Sequence, residues 1–408
     1  MTAILGINAY HGDASAAAVI DGRLVAAAEE ERFNRIKHAA GFPAEAVRWA
    51  VSACGASPAD VRILAVARDP WARFLRKAAY ALRMPWMAKN RIQVQDRFAR
   101  IAGEVERVLE IPAERLEVHR VEHHTAHLAS AFFVSPFEEA ALFSIDGLGD
   151  FASAMWGIGR GNRIYPGGSV TFPHSLGIFY TALTQYLGFL RYGDEYKVMG
   201  LASYGEPEYL DEFRKIVGTP ANGMIGFRLD FDYFLHHKAG VAMTWERGEP
   251  SVGRLYSDYL VERLGNARET GEDVEQRHKN VAASMQRRLE EVLLDRLRVL
   301  QTRTGLRKLC LAGGVAFNCV VNGKILENTG FDEVYVQSAA GDAGLAIGAA
   351  MYVWHQTLGN RREFVMEHSY WGPDFSEAAI REHLAENSGV TDGPEAQVLR
   401  LPGSEVNQ

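Results

Sequence analysis

The same succession of apolar runs and turns occurs at two places in this chain. In the first, apolar runs at 4–8, 14–20 and 23–27 are separated by a polar turn and then by an Asp-Gly pair, which is typical of a strand followed by a tight hairpin. Runs at 141–145 and 151–158 repeat this succession about 138 residues later. We therefore predict an α/β chain of two related halves that arose by duplication. Chance recurrence of a common Gly-Asp turn is the alternative.

The region after the second copy predicts further helices and strands that lead into glycine-rich turns. Apolar residues between 274 and 300 fall on one face of a helix. Two short apolar runs, 308–312 and 334–336, have the composition of buried strands. A helix is expected at 321–326 and an alanine-rich helix up to Ala350.

We divide the chain into a first half at 1–138, a second half at 139–365 and a C-terminal segment at 366–408. The first half contains a basic insert near 68–100, with nine basic and two acidic residues and interleaved aromatic residues. Such a mixture suits RNA or a membrane surface, but a helical insert with solvated arginines is favoured. The segment 366–408 is interpreted as the start of a further domain, of which the rest is missing.

Composition excludes several classes of protein. The chain has 408 residues, of which 47% are hydrophobic and 23% charged, which is typical of a globular protein. A formal net charge of −7 argues against a nucleic-acid partner, and no apolar run reaches the ~18 residues of a membrane span. Three cysteines do not make a disulfide framework, and the N-terminus lacks the features of a signal peptide. We therefore expect a cytoplasmic protein without a membrane partner.

A histidine-rich segment at 122–127 is the most informative motif. His123 and His127 are four residues apart, so that on a helix they share one face and can bind one transition metal. Asp146 and Asp342 follow apolar strands and are candidates for further ligands, because carboxyl-end turns of α/β sheets collect ligands. A pair of hydrogen-bonded histidines at a helix start is the alternative.

Three turns that contain glycine or directly follow one make a second group of candidate sites. The turns at 13–15, 146–147 and 313–314 each follow a strand, and exposed N–H groups in such turns can hold a phosphate. No turn matches a P-loop, and ordinary turn chemistry explains any one of them. The charged stretch 29–38 is expected to be a solvated face, or else to let Arg35 or Lys37 reach a phosphate at Asp13. The segment 193–201 is expected to form a surface turn, or else to place acids or Lys197 in a cleft.

Taken together, these segments resemble the nodulation- and antibiotic-type O-carbamoyltransferases. The resemblance runs in order from residue 4 to about residue 375. Some members have His-Asp-x-Ser at the first turn, whereas this chain has His11-Gly12-Asp13-Ala14-Ser15. The segments that carry the resemblance are 12–16, 29–33, 37–38, 123–127, 146–147, 175–180, 196–201, 313–318 and 341–344.

The resemblance implies an actin-like ATPase fold (ASKHA, ribonuclease H-like) of two related halves. It also implies a metal site, usually of iron(II), with His123, His127 and Asp342 as ligands and Asp146 as a fourth ligand or as a carboxylate on the phosphate side. Manganese or zinc would suit the same residue types. We assign catalytic roles to His11, Asp13 and Lys37. The residues assigned to the bound nucleotide, ATP or carbamoyl-adenylate, are Ser15, Gly147, Lys197, Gly313, Gly314, Val315 and Asn318.

In this family, carbamoyl phosphate and ATP give a carbamoyl-adenylate, and its carbamoyl group passes to a hydroxyl of a small-molecule or sugar acceptor. The adenylate is made by a second domain, so we expect that this chain alone does not make it and that the domain is missing or separate. A tRNA threonylcarbamoyl-transferase-like enzyme and a non-catalytic nucleotide- and metal-binding module are the alternatives, and a sugar kinase is a weaker one.

Overall fold

The computed structural model describes residues 1–55, 57–83, 97–220, 223–241, 243–246 and 248–386. Two predicted segments are described only in part. Residues 84–96 of the basic insert and residues 387–408 of the C-terminal segment lie outside the described residues. Contacts divide the chain into two compact units, Met1–Trp371 and Gly372–Gln408. The predicted boundary after residue 138 stays a prediction.

The first sheet is built from strands β1 to β5 in the order β3-β2-β1-β4-β5. Strands β1 to β3 form an antiparallel meander, in which Asp21 and Gly22 make the tight turn with φ angles of 46° and 82°. Strands β4 and β5 then add in parallel to β1. The bounds are β1 (Ala3–Asn8), β2 (Ser15–Ile20), β3 (Arg23–Glu29), β4 (Val61–Val66) and β5 (Glu117–Arg120).

The second sheet has the same strand order and the same strand directions as the first. Strands β6 to β8 form the antiparallel meander, and β13 and β14 add in parallel to β6, which gives the order β8-β7-β6-β13-β14. The predicted repetition of strand pattern is thus seen in the topology, while common descent of the halves stays a prediction. The bounds are β6 (Glu139–Gly149), β7 (Ala152–Arg160), β8 (Arg163–Thr171), β13 (Lys308–Ala312) and β14 (Glu333–Val336).

Two small antiparallel pairs lie between β8 and β13 in the chain. They are β9 (Val217–Gly218) with β10 (Arg228–Leu229), and β11 (Met243–Glu246) with β12 (Glu249–Val252).

Helices connect these strands. In the first half they are α1 (Glu31–Asn34), α2 (Ala44–Ala53), α3 (Phe74–Arg83), α4 (Ile101–Leu109) and α5 (His123–Phe132). Between β8 and β13 they are α6 (Leu176–Tyr186), α7 (Glu195–Leu201), α8 (Leu210–Ile216), α9 (His236–Ala239), α10 (Asp258–Leu264) and α11 (Gln276–Thr304). After β13 follow α12 (Cys319–Asn322), α13 (Ile325–Asn328), α14 (Leu345–Tyr352) and α15 (Glu377–Glu386).

The predicted long helix and the alanine-rich helix are confirmed as α11 and α14. The single helix predicted at 321–326 is wrong, because α12 ends at Asn322 and α13 starts at Ile325. No helix among the described residues is both long enough and apolar enough to cross a membrane.

Helices α5 and α14 bring the two sheets together. A single cluster of buried apolar residues includes Ile4 and Val19 of the first sheet and Leu142 and Cys310 of the second. The same cluster contains much of α5 and α14. Both helices therefore pack where the two sheets meet, and residues at their N-terminal ends are held close to each other.

Candidate metal centre and adjoining cavity

Four side chains that the sequence predicts as metal ligands converge in the structure. Ligand atoms of His123, His127, Asp146 and Asp342 all lie within 4.8 Å of one another, and all four residues are buried. His123 Nε2 is 3.0 Å from Asp146 Oδ2 and 3.6 Å from Asp342 Oδ1. His127 Nε2 is 3.5 Å from each of these two carboxylate oxygens. The structure therefore brings together two imidazoles and two carboxylates from both halves of the chain.

Local structure explains this convergence. His123 and His127 lie one turn apart on α5, Asp146 lies in the bulged end of β6, and Asp342 begins the short 3-10 turn before α14. Asp150 Oδ2 accepts a hydrogen bond from the His123 N–H at 3.0 Å and so ties the start of α5 to the turn after β6. The ends of β6 and β14, two strands of the second sheet, are followed by turns that thus deliver the acidic groups to the face of one helix.

The donor set fits a divalent transition metal. His127 Nε2 and Asp342 Oδ1 are buried, face each other at 3.5 Å, and make no hydrogen bond of ordinary geometry among the described residues. Two buried carboxylates side by side repel each other and need positive charge between them. Two histidines with two carboxylates are a ligand set that iron, manganese and zinc accept.

Electrostatics agree with this assignment. Although burial raises it, the pKa of Asp146 is held well below its ordinary value by His123 and His127. Burial lowers the pKa of His127, but the two carboxylates outweigh it and raise this pKa to about 9. The cluster therefore favours one added positive charge, which a bound metal ion would supply in place of the proton.

His124, between the two candidate ligands, has a different environment. Its Nδ1 lies 2.9 Å from Ser144 Oγ, and burial lowers its pKa to about 3. The ring is thus neutral and points into the second sheet rather than into the cluster.

A cavity of about 480 Å³ adjoins the cluster. Among the predicted site residues, those that line it are His11, Asp13, Asp146, Gly147, Gly314, Val315, Asn318 and Asp342. His11 Nδ1 lies 2.5 Å from Asp342 Oδ2, so that a candidate catalytic histidine contacts a candidate metal ligand. Burial lowers the pKa of His11, and Asp342 more than offsets this and raises it.

Other predicted site residues lie around the cavity rather than in its described lining. Ser15 donates a hydrogen bond to the Ala343 carbonyl at 2.8 Å and so ties β2 to the turn that carries Asp342. Gly313 has a φ of 95°, and a Cβ there would lie 2.1 Å from the Ile145 carbonyl oxygen. Only glycine therefore lets this turn pass so close to the end of β6.

Two predicted lysines flank one aromatic ring at the cavity. Lys37 Nζ lies 5.5 Å and Lys197 Nζ 5.9 Å from the ring centre of Tyr196, which lines the cavity. Lys37 is exposed, whereas Lys197 forms an ion pair of 2.6 Å with Asp194. The amide of Asn318, also predicted to bind a nucleotide, is bonded to Gln286 and to the N–H of Val321.

Sequence reasoning missed His38 and Tyr192, whereas the acids of the segment 193–201, which include Glu195, were expected in a cleft or in a surface turn. His38, Tyr192 and Glu195 all line the cavity, and His38 Nδ1 lies 2.7 Å from Asp13 Oδ1. His38 lies next to Lys37 in a segment that carries the family resemblance, and this was the signal that could have pointed to it. Burial lowers the pKa of His38, but its hydrogen bond with Asp13 raises it above the ordinary value.

The fold and the site together define a class: an α/β protein of two similarly ordered sheets with a buried two-histidine, two-aspartate cluster beside a ligand-sized cavity. The family model described as "Carbamoyltransferase N-terminus" matches residues 3–351. The chain therefore belongs to the carbamoyltransferase N-terminus family, a family of transferase enzymes. The predicted resemblance to carbamoyltransferases is confirmed.

Two curated relatives extend this result. An uncharacterized protein (sll1178) of Synechocystis sp. is 38% identical over 400 residues, which cover 94% of this chain and 63% of the relative. Nodulation protein NolNO of Sinorhizobium fredii is 33% identical over 386 residues, which cover 92% of this chain and 51% of the relative. The chain thus spans between half and two thirds of the length of these relatives.

A solved structure of HypF from T. kodakarensis aligns with 88% of this chain and 48% of its own at 14% identity. Its TM-score of 0.42 is too low for this similarity to inform the fold or the site.

Proposed function

We propose that this chain transfers a carbamoyl group from carbamoyl-adenylate, made from carbamoyl phosphate and ATP, to a hydroxyl group of a small-molecule or sugar acceptor. The observation that carries the proposal is the His123, His127, Asp146 and Asp342 cluster beside the cavity that His11 and Asp13 line. Membership of the carbamoyltransferase family supports the reaction class.

Further parts of the proposal concern the fold and the setting of the reaction. An actin-like fold of two duplicated halves is supported by the shared strand order of the two sheets. We also propose a cytoplasmic location and a separate or additional domain that forms the adenylate.

In this reaction the acceptor oxygen forms a bond to the carbamoyl carbon, and the bond from that carbon to the phosphate oxygen breaks. AMP leaves with the bonding electron pair, and the hydroxyl proton passes to a base. His11 and Asp13 are the bases that we assign, because both line the cavity and each is oriented by a partner, Asp342 and His38 respectively.

The four clustered residues would hold the metal, which when bound supplies Lewis-acid polarisation of the mixed anhydride. The chain itself contributes positioning. Gly314 donates its N–H to Asp146 Oδ1 at 3.0 Å and thereby fixes the carboxylate at the cavity wall. The positive charge of Lys37 beside Tyr196 attracts the phosphate-bearing donor to the cavity.

Metal content and donor binding test the proposal together. We expect about one metal ion per chain after anaerobic purification, and we expect binding of a stable carbamoyl-adenylate analogue that carries a sulfamoyl group in place of the acyl phosphate. The double substitution His123→Ala with His127→Ala should remove the metal and weaken analogue binding at least about tenfold.

The matched control replaces two exposed histidines, His368→Ala with His383→Ala, and should keep both properties. Absence of stoichiometric metal in the unmodified chain, or analogue binding that survives the loss of His123 and His127, would contradict the proposal. The non-catalytic alternative is supported instead if metal and analogue bind but no labelled carbamoyl group reaches any acceptor when carbamoyl-adenylate is supplied.

Within the part of the chain that the structure describes, which leaves out 84–96 of the basic insert, no feature favours the tRNA-modifying alternative. Two arginines of the predicted basic insert form ion pairs near the site. Arg68 pairs with Asp150 at 3.0 Å, and Arg73 pairs with Glu122 at 2.5 Å. These side chains hold the start of α5 in place and are therefore not free for phosphate contacts.

A further inference from the structure

One wall of the cavity carries apolar side chains. This apolar wall consists of Ile178 on α6, Met243 and Val252 on the β11–β12 hairpin, and Val241 and Leu255 next to the hairpin. The acidic and histidine side chains at the cavity come from other elements and are His11, Asp13, His38, Asp146, Glu195 and Asp342. The cavity therefore offers two chemically different surfaces to a bound molecule.

Polar side chains close to the apolar wall are already paired within the protein. Thr181 Oγ1 donates a hydrogen bond to Glu195 Oε1 at 2.6 Å. The hydroxyl of Tyr180 donates to Gln286 Oε1 at 3.0 Å. A ligand with many hydroxyl groups would find few free hydrogen-bond partners here, and its desolvated hydroxyls would cost free energy.

The hairpin that provides this wall is tied to both halves of the chain. The side-chain amide of Gln185 on α6 donates to the carbonyls of Val252 and Gly253 at 3.2 and 3.1 Å, and its Oε1 accepts from the Leu255 N–H at 2.9 Å. At the other end, the Ala40 N–H donates to the Gly248 carbonyl at 2.9 Å. The wall is therefore a built part of the cavity.

We propose that this apolar wall binds the body of the hydroxyl acceptor, so that the acceptor is an alcohol with an aliphatic or aromatic body rather than a sugar. This inference rests on the proposed carbamoyl transfer and narrows its acceptor class. Apolar pockets lined by a few fixed polar groups orient a ligand in this manner: the body packs on the wall, and the single hydroxyl faces Asp13 and His11.

The test measures binding of 2-phenylethanol and of methyl glucoside by calorimetry, each with and without the sulfamoyl adenosine analogue. We expect 2-phenylethanol to bind in both conditions and methyl glucoside to bind in neither. Met243→Gln and Val252→Thr keep the side-chain size but add polar atoms, and each should weaken alcohol binding about tenfold while leaving analogue binding unchanged.

Matched controls make the same changes outside the cavity: Met224→Gln and Val365→Thr, both at exposed positions, should leave alcohol binding as it is. Displacement of the alcohol by the analogue would show that the wall binds the adenine ring and would overturn the inference. Binding of methyl glucoside in preference to the alcohol would overturn it as well. Failure of the chain to bind the analogue, with alcohol binding intact, would instead refute the proposed carbamoyl transfer.

Discussion

At the residue scale, Asp13 and His38 form a hydrogen-bonded pair in which both residues have an unusual backbone conformation. Both have positive φ angles, 58° and 56°, in the left-handed region that residues other than glycine rarely adopt. The Glu31 carboxylate accepts from the His38 N–H at 2.7 Å, and the Ala14 N–H donates to the Ala39 carbonyl at 2.9 Å. These contacts offset the strain, so that His38 orients the Asp13 carboxylate in the cavity wall.

The His38–Asp13 pair should make the stability of the folded chain depend on pH. The pKa of His38 is raised by Asp13 above its ordinary value of 6.5, although burial lowers it and Lys37 opposes protonation. Because the folded state holds the proton more tightly, this stabilisation is fully present below pH 6.5 and is lost as the pH rises through the raised pKa. His38→Gln should therefore lower the melting temperature most at acidic pH and least at alkaline pH.

The melting temperatures of the wild-type chain and of His38→Gln, measured from acidic to alkaline pH, test this expectation. The exposed His368→Gln serves as the control and should show no such trend. A melting-temperature difference between the wild-type chain and His38→Gln that stays constant with pH would contradict a charged His38–Asp13 pair.

The ligand cluster and the His38 pair differ in how far the sequence could predict them. His123 and His127 share a helix face by their spacing alone, and Asp146 and Asp342 were predicted from their positions after strands. The partnership of His38 with Asp13 joins two turns, one before β2 and one after α1, that are 25 residues apart and both contain left-handed residues. No periodicity in the sequence specifies such a path.

At the element scale, the N-terminus of α5 determines where the two histidines lie. Glu122 caps this helix by accepting from the Thr125 N–H at 2.7 Å, and the Thr125 hydroxyl donates to the same carboxylate oxygen at 2.8 Å. Arg73 pairs with the other oxygen of the carboxylate. Burial raises the pKa of Glu122, but His124, which is charged only in acid, and Arg73 outweigh it and lower this pKa to about 2.

Removal of this cap should destabilise the protein. Glu122→Ala leaves the helix N-terminus uncapped and the guanidinium of Arg73, which is largely buried, without its partner, and should cost about 2 kcal/mol or more. The depressed pKa means that the stabilisation from Glu122 is present above pH 4.5 and is lost as the pH falls towards 2. The difference in unfolding free energy between the wild-type chain and Glu122→Ala should therefore become smaller in acid.

Urea unfolding at neutral and acidic pH provides the measurement. Glu104→Ala removes an ion pair with the exposed Arg107 on α4 and is the control, with an expected change below about 1 kcal/mol. Equal stability of Glu122→Ala and the wild-type chain at neutral pH would show that the cap does not stabilise α5.

The elements themselves were predictable to different degrees. The antiparallel meanders follow from apolar runs separated by turn signals, which are Asp21-Gly22 in the first sheet and Gly161-Asn162 in the second. Helix α11 follows from its long helical periodicity. The β11–β12 hairpin was not predicted, because four-residue strands carry too few positions for a pattern. The apolar wall of the cavity could therefore be identified only from the structure.

At the scale of the whole molecule, close backbone contacts of α14 join the sheets to the candidate metal centre. A Cβ added at Gly6 of β1 would lie 2.0 Å from the Ala346 carbonyl oxygen, and one at Gly348 would lie 1.9 Å from that of Ala126. Glycine at these positions thus lets α14 approach both the first sheet and α5. Asp342 directly precedes α14 and His127 lies on α5. The close approach of these two helices therefore sets the distance between the Asp342 carboxylate and the His127 ring.

Gly348→Ala tests whether this packing holds the molecule together. Alanine normally stabilises a helix interior by about 0.5–1 kcal/mol relative to glycine, and Gly103→Ala on α4, where a Cβ meets no atom within 4 Å, should show this gain. At Gly348 the new methyl group would meet the α5 backbone, so we expect a loss of about 1–3 kcal/mol in urea unfolding without metal. Metal titration of the folded variant should also show weaker binding, because α5 and α14 are pushed apart. If Gly348→Ala gains stability as Gly103→Ala does, the close approach of the two helices does not position the metal centre.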